Sequence, residues 1–418
     1  MRKGYTLISC LGVGNKKDNI YRKTDYKFEN GEIIKSSLVS CALLSFYKDK
    51  LRKVVIIGTE RSSWNELLQN NLEDEQNVEL WYDIENQISN NACGITLSSL
   101  NKLEDKLSEI YGIPFKLLRH SSELSDDNQT RIMDLYSHIY DSIEMNTKLL
   151  VDVTNGFRYM PMLLFQSLQI RGAKYSSKDV TLLYGEYRNN CSIIRNISTI
   201  WKMAEINKQM YSFESSFDGI LLSRELVDYD EKLADFVYEF SSMIQKNFVM
   251  QIKKAIQYCR LTLERRIPSN NDPQFVSELV ISLGKLCSKF PDNNAPLSLY
   301  LYLYTFAEIL YKKGLITQAI IALREALFTK LFEKYDPNQI GVYISMPDLE
   351  RKDYYQSFKY DCKSIMVFWD IDALNKERNK IAHAGGEVLG RNLGDSKSEV
   401  NFEKYYEAVT IVFEKVLK

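Results

Sequence analysis

The run Glu377-Arg378-Asn379-Lys380-Ile381-Ala382-His383-Ala384-Gly385-Gly386 places one of only three histidines five residues after an arginine. These two side chains suit phosphodiester chemistry. An imidazole moves a proton near neutral pH. A guanidinium stays charged and holds phosphate oxygens with its planar fork. If a ribose 2′-hydroxyl is the nucleophile, the pair needs neither metal nor cofactor. On one regular helix, five steps of ~100° leave the side chains ~140° apart. The helix must therefore end or bend here, or the two residues must meet across a subunit interface. Gly385 and Gly386 read as a helix C-terminal stop. A polar helix end with no chemistry is the plain alternative for a run of this kind.

A second group lies in Leu149-Leu150-Val151-Asp152-Val153-Thr154-Asn155-Gly156-Phe157-Arg158-Tyr159-Met160-Pro161, where a buried strand runs into a polar turn and then a helix. Thr154, Asn155 and Gly156 stand where backbone N–H groups open toward a ligand, with Arg158 in the first helical turn and the helix N-terminus adding partial positive charge. Two other strand ends have similar chemistry: Gly12-Val13-Gly14-Asn15, and Gly58-Thr59-Glu60-Arg61-Ser62-Ser63. All three loops are expected on one edge of a sheet, as an anion or nucleotide cradle. Turn requirements alone also place such residues at strand ends. Gly12 and Gly14 give GxG, but Lys17 occupies the third glycine position of a dinucleotide fingerprint, and no GKS or GKT of a P-loop occurs.

The elements that position these groups divide the chain in two. Up to about residue 195, strand-like runs (Tyr5–Leu11, Lys53–Gly58, Pro114–Arg119, Lys148–Val153, Val180–Tyr184, Ser192–Ile197) alternate with helix-like ones (Lys35–Tyr47, Leu97–Tyr111, Asp126–Glu144, Phe157–Arg171). This pattern predicts an α/β, Rossmann-like sheet covered by helices on both faces, with ligands at the carboxyl ends of its strands. Beyond Ile200 the pattern is helical: Trp201–Tyr211, Asp230–Gln257, Gln274–Lys289, Ser298–Lys313, Ile316–Lys334, Ser364–Ile381 and Phe402–Leu417. The turn-rich stretches 269–273 and 290–296 mark breaks. The expected division is 1–199, an α/β domain; 200–290, an all-α connector; and 291–418, an all-α domain.

A net charge of −1 gives no global basic field for nucleic acid, so any RNA contact is local. The seven cysteines form no CxxC pair, which argues against zinc and against a disulfide framework. The apolar N-terminal run is short and reads as a first strand rather than a signal peptide. No stretch approaches the ~18 apolar residues of a membrane span, and a cytoplasmic protein is expected.

Together the two ends resemble the CRISPR-associated CARF–HEPN ribonucleases, accessory effectors of type III CRISPR systems. Asp152-Val153-Thr154-Asn155-Gly156-Phe157-Arg158 is similar to the Asp-x-Thr-His/Asn-Gly-x-Arg signature of one sensor subgroup. Leu11-Gly12-Val13-Gly14 and Tyr26-Lys27-Phe28-Glu29-Asn30-Gly31 resemble its opening. Arg378 through His383 resembles the Arg-x(4–6)-His motif of HEPN nucleases, with the frequent Asn after the arginine as Asn379. The resemblance spans nearly the whole chain in the same domain order.

The resemblance implies a homodimer whose CARF domains bind cyclic oligoadenylate, with Gly12, Gly14, Asn15, Thr59, Glu60, Arg61, Ser62, Thr154, Asn155, Gly156 and Arg158 as ligand-binding candidates. Cyclic tetra-adenylate is favoured and cyclic hexa-adenylate comes second. It also implies that paired HEPN domains cleave single-stranded RNA without metal. The 2′-OH attacks its own phosphate, His383 assists proton transfer, Arg378 steadies the phosphorane charge, and Asn379 orients one or the other. A 2′,3′-cyclic phosphate results, and neither a resident cofactor nor a DNA partner is expected. Where the signature often has His, this chain has Asn155, which bears on any slow cleavage of the activator.

Two rival readings stand beside this one: a nucleotide-sensing module whose helical domain only dimerises or docks a partner, and a nucleotide-dependent oxidoreductase. The intact Arg378–His383 pair speaks against the first. The missing glycine and the all-helical C-terminal half speak against the second. His120 and His138 are expected to be surface or packing residues, and Trp201 and Trp369 to pack in cores or at an interface. Arg324-Glu325 is expected to be an exposed ion pair, with support of the active-site residues as the alternative, and Glu264-Arg265-Arg266 a solvated helix face.

Overall fold

The computed structural model of the chain describes residues 4–17, 20–91, 93–121, 128–143, 147–156, 159–171, 179–189, 191–267, 272–291, 299–335, 368–382 and 401–415. It forms two compact units, Met1–Glu205 and Ile206–Lys418.

The first unit is built on strands β1 (Tyr5–Cys10), β2 (Lys16–Lys17), β3 (Ile20–Tyr21), β4 (Thr24–Lys27), β5 (Ile33–Ser36), β6 (Leu51–Thr59), β7 (Phe115–His120), β8 (Lys148–Asp152), β9 (Val180–Arg188) and β10 (Cys191–Asn196). Eight of them make one sheet in the order β5-β4-β10-β9-β8-β1-β6-β7, while β2 and β3 form a separate antiparallel hairpin. The stretch β9-β8-β1-β6-β7 is parallel throughout. Its strands are apolar on both faces because helices cover both. Leu7, Val54, Ile56, Leu117 and Leu150 pack with helices α1 (Val39–Tyr47), α2 (Glu75–Asn90) and α3 (Leu97–Tyr111). The alternate residues Ile8, Val55, Ile57, Leu149 and Val151 pack with α4 (Asn128–Ser142) and α5 (Tyr159–Arg171). At about 1.5–3 kcal/mol for each fully buried aliphatic side chain, this alternation fixes the register, since a one-residue slip would exchange the two faces.

All six strand runs read from the sequence are strands. The differences lie where polar residues carry the backbone pairing. β4 is Thr-Asp-Tyr-Lys with only Tyr26 buried, and it pairs with β5, so the helix read from Lys35 begins at Val39. α2 is polar, and the acceptor that starts it is the Asp74 side chain, which takes the N–H of Gln76.

The second unit is helical. Helix α6 (Thr199–Ser216) begins in the first unit, with Trp201 fully buried there, and its later residues Met210 and Phe213 belong to the second core. It is followed by α7 (Ile220–Leu226), α8 (Glu231–Gln245), α9 (Ile252–Arg265), α10 (Gln274–Cys287), α11 (Leu299–Lys312), α12 (Ile316–Tyr335), α13 (Phe368–Ala382) and α14 (Phe402–Lys415). The single helix expected over 230–257 is two. Asn247 takes a left-handed φ of 58°, and the N–H of Phe248 reaches back to the Met243 carbonyl, a Schellman-type stop. One apolar core runs from Ile206 to Val412 and draws on helices from both sides of residue 290. Arg266 is not on a solvated face: its side chain is 9% exposed and bridges Asp230 (2.9 Å) and Asp272 (2.6 Å). Among the described residues no helix is long and apolar enough to cross a membrane.

Candidate functional site

Strands β6, β1 and β8 are parallel neighbours, with Cys10 beside Ile57 and Ser9 beside Asp152. Their carboxyl ends therefore open at one edge, where the chain's connections diverge on either side of β1. A cavity of about 570 Å³ lies there. Of the ligand-binding candidates, Gly12, Gly14, Asn15, Thr59, Ser62, Thr154, Asn155 and Gly156 line it. Glu60 and Arg61 do not. The Ser62 N–H bonds to the Thr59 carbonyl (3.1 Å), so a tight turn presents its first and last residues to the cavity and leaves the middle two outside. Arg158 lies outside the described residues.

The loops are cross-tied by a few side chains. Ser62 Oγ donates to the Leu11 carbonyl (2.9 Å) and accepts the Thr59 N–H (2.8 Å), which joins the β6 loop to the β1 loop. The Ser63 N–H adds a bond to the Gly12 carbonyl (3.0 Å). Asp152, fully buried at the end of β8, sets the third loop. Its Oδ1 accepts both the N–H (2.9 Å) and the hydroxyl (2.5 Å) of Thr154, and its Oδ2 accepts Ser9 Oγ (2.5 Å), which in turn meets Ser40 Oγ at 2.7 Å. Thr154 Oγ1 also accepts the Gly185 N–H (2.8 Å). Burial raises the Asp152 carboxyl above the usual range, against the pull of Ser9 and Thr154.

Space requires a glycine at position 14 but not at Gly12, where a Cβ would meet Asn155 at 3.4 Å, an ordinary contact. At Gly14, where φ is +69°, a Cβ would lie 2.8 Å from the Tyr21 ring.

The cavity also has walls that sequence reading missed: Arg22, Thr24, Tyr26, Ser37, Leu38 and Tyr187. They come from the β2–β3 hairpin, β4, the start of α1 and β9, elements with no glycine-rich loop to flag them. Burial pushes the Tyr26 phenol up to about 12, so it stays neutral. Among the described lining residues there is no carboxylate, and Arg22 is the cation.

In the second unit, α13 carries Asn375, Glu377 and Arg378, and Asn379 also lies within it; His383 lies outside the described residues. Arg324 of α12 donates from Nε to Asn375 Oδ1 (2.8 Å), one helical turn before Arg378. Its other arm bonds Glu325 Oε1 (2.7 Å), and its guanidinium stacks on Phe328 (4.5 Å). The Arg324–Glu325 pair is not exposed as expected: its side chains are only 13% and 5% accessible. Helix periodicity marked the core here, but the sequence held no sign that Asn375 would draw the arginine inward. Among the described residues no cluster of metal-binding side chains occurs.

Residues 6–190 match the family model for the CARF domain of CRISPR system endoribonuclease Csx1. The chain carries a CARF domain of the CRISPR effectors. That CARF domain takes in the whole cavity and all three strand-end loops. The chain is also 24% identical, over 410 residues and 90% of its length, to CRISPR-associated protein MJ1674 of Methanocaldococcus jannaschii. It spans 62% of that relative's length. Among solved structures, Enterococcus italicus Csm6 bound to cyclic hexa-2′-fluoro-hexa-dAMP superposes over 98% of this chain and 93% of that one, with 14% identity and a TM-score of 0.37.

Proposed function

We propose that this protein is a type III CRISPR effector in which the CARF domain binds cyclic oligoadenylate and the helical unit, a HEPN ribonuclease, then cleaves single-stranded RNA without metal. The observation that carries this reading is the CARF cavity. It is walled by hydroxyls, amide groups, two tyrosines and one arginine, with no carboxylate among its described lining residues. Such a lining suits a ligand with several phosphodiesters and flat bases. Cyclic tetra-adenylate is the favoured activator, with cyclic hexa-adenylate second. The Csx1 family name, an endoribonuclease, supports the enzyme half of the reading.

In this mechanism two copies pair, and each contributes Arg378, Asn379 and His383 to one composite site. The ribose 2′-OH attacks the adjacent phosphorus, and the 5′-oxygen of the next nucleotide leaves. His383 transfers a proton, Arg378 neutralises the charge gathering on the phosphorane, and Asn379 orients the group beside it. The products are a 2′,3′-cyclic phosphate and a 5′-hydroxyl. Arg324, held by Asn375, fixes the face of α13 from which Arg378 projects.

The deciding experiment is cleavage of a fluorescent single-stranded RNA in EDTA, with and without each ring. Strong cleavage with one ring supports the activator, the reaction and its independence from metal together. Ring binding without cleavage would leave the CARF domain as a sensor for some other output. Failure to bind either ring would overturn the reading.

A further inference from the structure

We infer that Arg22, carried beside the cavity by an anchored hairpin, grips a phosphate of the CARF ligand. The inference rests on the reading that this cavity takes cyclic oligoadenylate, and it adds to the three strand-end loops a residue that none of them supplies.

Three observations converge. First, Arg22 is the cation among the cavity's described lining residues, where no carboxylate offsets it. Second, its guanidinium is exposed and has no hydrogen-bond or ion-pair partner among the described residues, whereas Lys16 of the same hairpin is paired with Glu85. Third, the hairpin is fixed on the side away from the cavity. Lys16 sits 4.4 Å over the Tyr21 ring; Tyr21 Oη donates to Glu85 (3.1 Å) and to Asn65 (3.3 Å), and Asn65 donates to Glu85 (2.9 Å). The Arg22 N–H then bonds the Asn15 carbonyl (2.8 Å), which closes the hairpin onto the β1 loop. Desolvation works to raise the Glu85 carboxyl, but the bonds from Lys16 and Ser89 prevail and hold it below the usual range. Glu85 is thus a charged latch on α2. The backbone of residue 22 is set before ligand arrives, so the ordering cost of binding falls on its side chain alone.

The test is calorimetric titration of the full-length protein with cyclic tetra-adenylate and with cyclic hexa-adenylate at several salt concentrations. Arg22→Ala should weaken binding about ten- to a hundredfold, as for removal of a hydrogen bond between charged groups. Its plot of log affinity against log salt should flatten by about 0.7 for each phosphate that the guanidinium no longer neutralises. Arg22→Lys should keep the wild-type salt slope but bind less tightly, because an ammonium lacks the bidentate fork. It also carries the test should the alanine variant lose its fold. Glu85→Gln should weaken the wild-type protein and leave the Arg22→Ala protein unchanged, the non-additivity of a group that acts through another.

Wild-type binding with unaltered affinity and slope in Arg22→Ala would overturn this inference and leave the activator reading standing. If wild-type protein binds neither ring, both fall.

Discussion

Asp152 offers the sharpest test of how the cavity is held. Its carboxylate is fully buried and meets three donors, Ser9 Oγ, Thr154 N–H and Thr154 Oγ, with no ion-pair partner among the described residues. Asp152→Ala strands the Thr154 N–H, an orphan worth about 1–3 kcal/mol. It also removes two hydroxyl bonds to a charge, at about 1.5–3 kcal/mol each. The hydroxyls keep their other contacts, to Ser40 and Gly185, and the cost of burying a charge disappears. A net loss of about 3 kcal/mol follows, within the range for large single-site effects. At about 2–4 °C per kcal/mol for a unit of this size, melting should fall by roughly 6–12 °C. Asp152→Asn keeps an acceptor for Thr154, and its amide can donate to Ser9, so it should cost no more than about 1 kcal/mol.

The pH dependence separates the two effects. Because burial raises the folded carboxyl above its unfolded value, the folded state keeps the proton longer. The stability contributed by this residue is therefore fullest below about pH 4, the unfolded value. It is lost as pH climbs through the folded value. The stability difference between wild type and Asp152→Asn should fall along that climb, as followed by urea denaturation at stepped pH. An Asp152→Ala protein as stable as wild type, or an Asn variant as damaged as the Ala one, would refute the argument.

Gly14→Ala should destabilise the first unit by about 1–2 kcal/mol for the left-handed backbone alone. Displacement of Tyr21 adds to that, and urea titration together with weaker ring binding would show both. Arg324→Ala leaves buried Glu325 without its guanidinium and should cost about 3–5 kcal/mol. The Arg324→Ala, Glu325→Ala double variant should recover part of that loss in thermal melts. His383→Ala should abolish RNA cleavage while ring binding and dimer mass remain; surviving cleavage would remove His383 from the proposed mechanism.

What could be read from the chain depended on how each element earns its stability. Runs such as Lys148–Val153 announce themselves because burial on both faces demands unbroken apolar residues, and Asp152 at the end of that run marks the turn that follows. The hairpin of Lys16, Lys17, Ile20 and Tyr21 has no such signature. It is held by one carboxylate, Glu85, more than sixty residues away, and a contact at that separation leaves no local periodicity. Arg22 was invisible for the same reason. Glu60 and Arg61 read as ligand contacts because they stand between Thr59 and Ser62; a single backbone bond turned them outward. Asp230–Gln257 looked like one helix because its apolar period carries through Asn247, a residue that tolerates the left-handed stop.

The unbroken core of the second unit bears on how that unit can be taken apart. Phe236, Phe240 and Ile256 interlock with Phe306, Leu323 and Val409 in one apolar cluster. A fragment beginning near residue 291 would shed the first group and bare the second to water. Helices from Ile206 onward should therefore melt in a single transition and protect their amides from hydrogen exchange together. Evolution can then graft this unit onto a different N-terminal domain as a whole, but it cannot trade its halves separately.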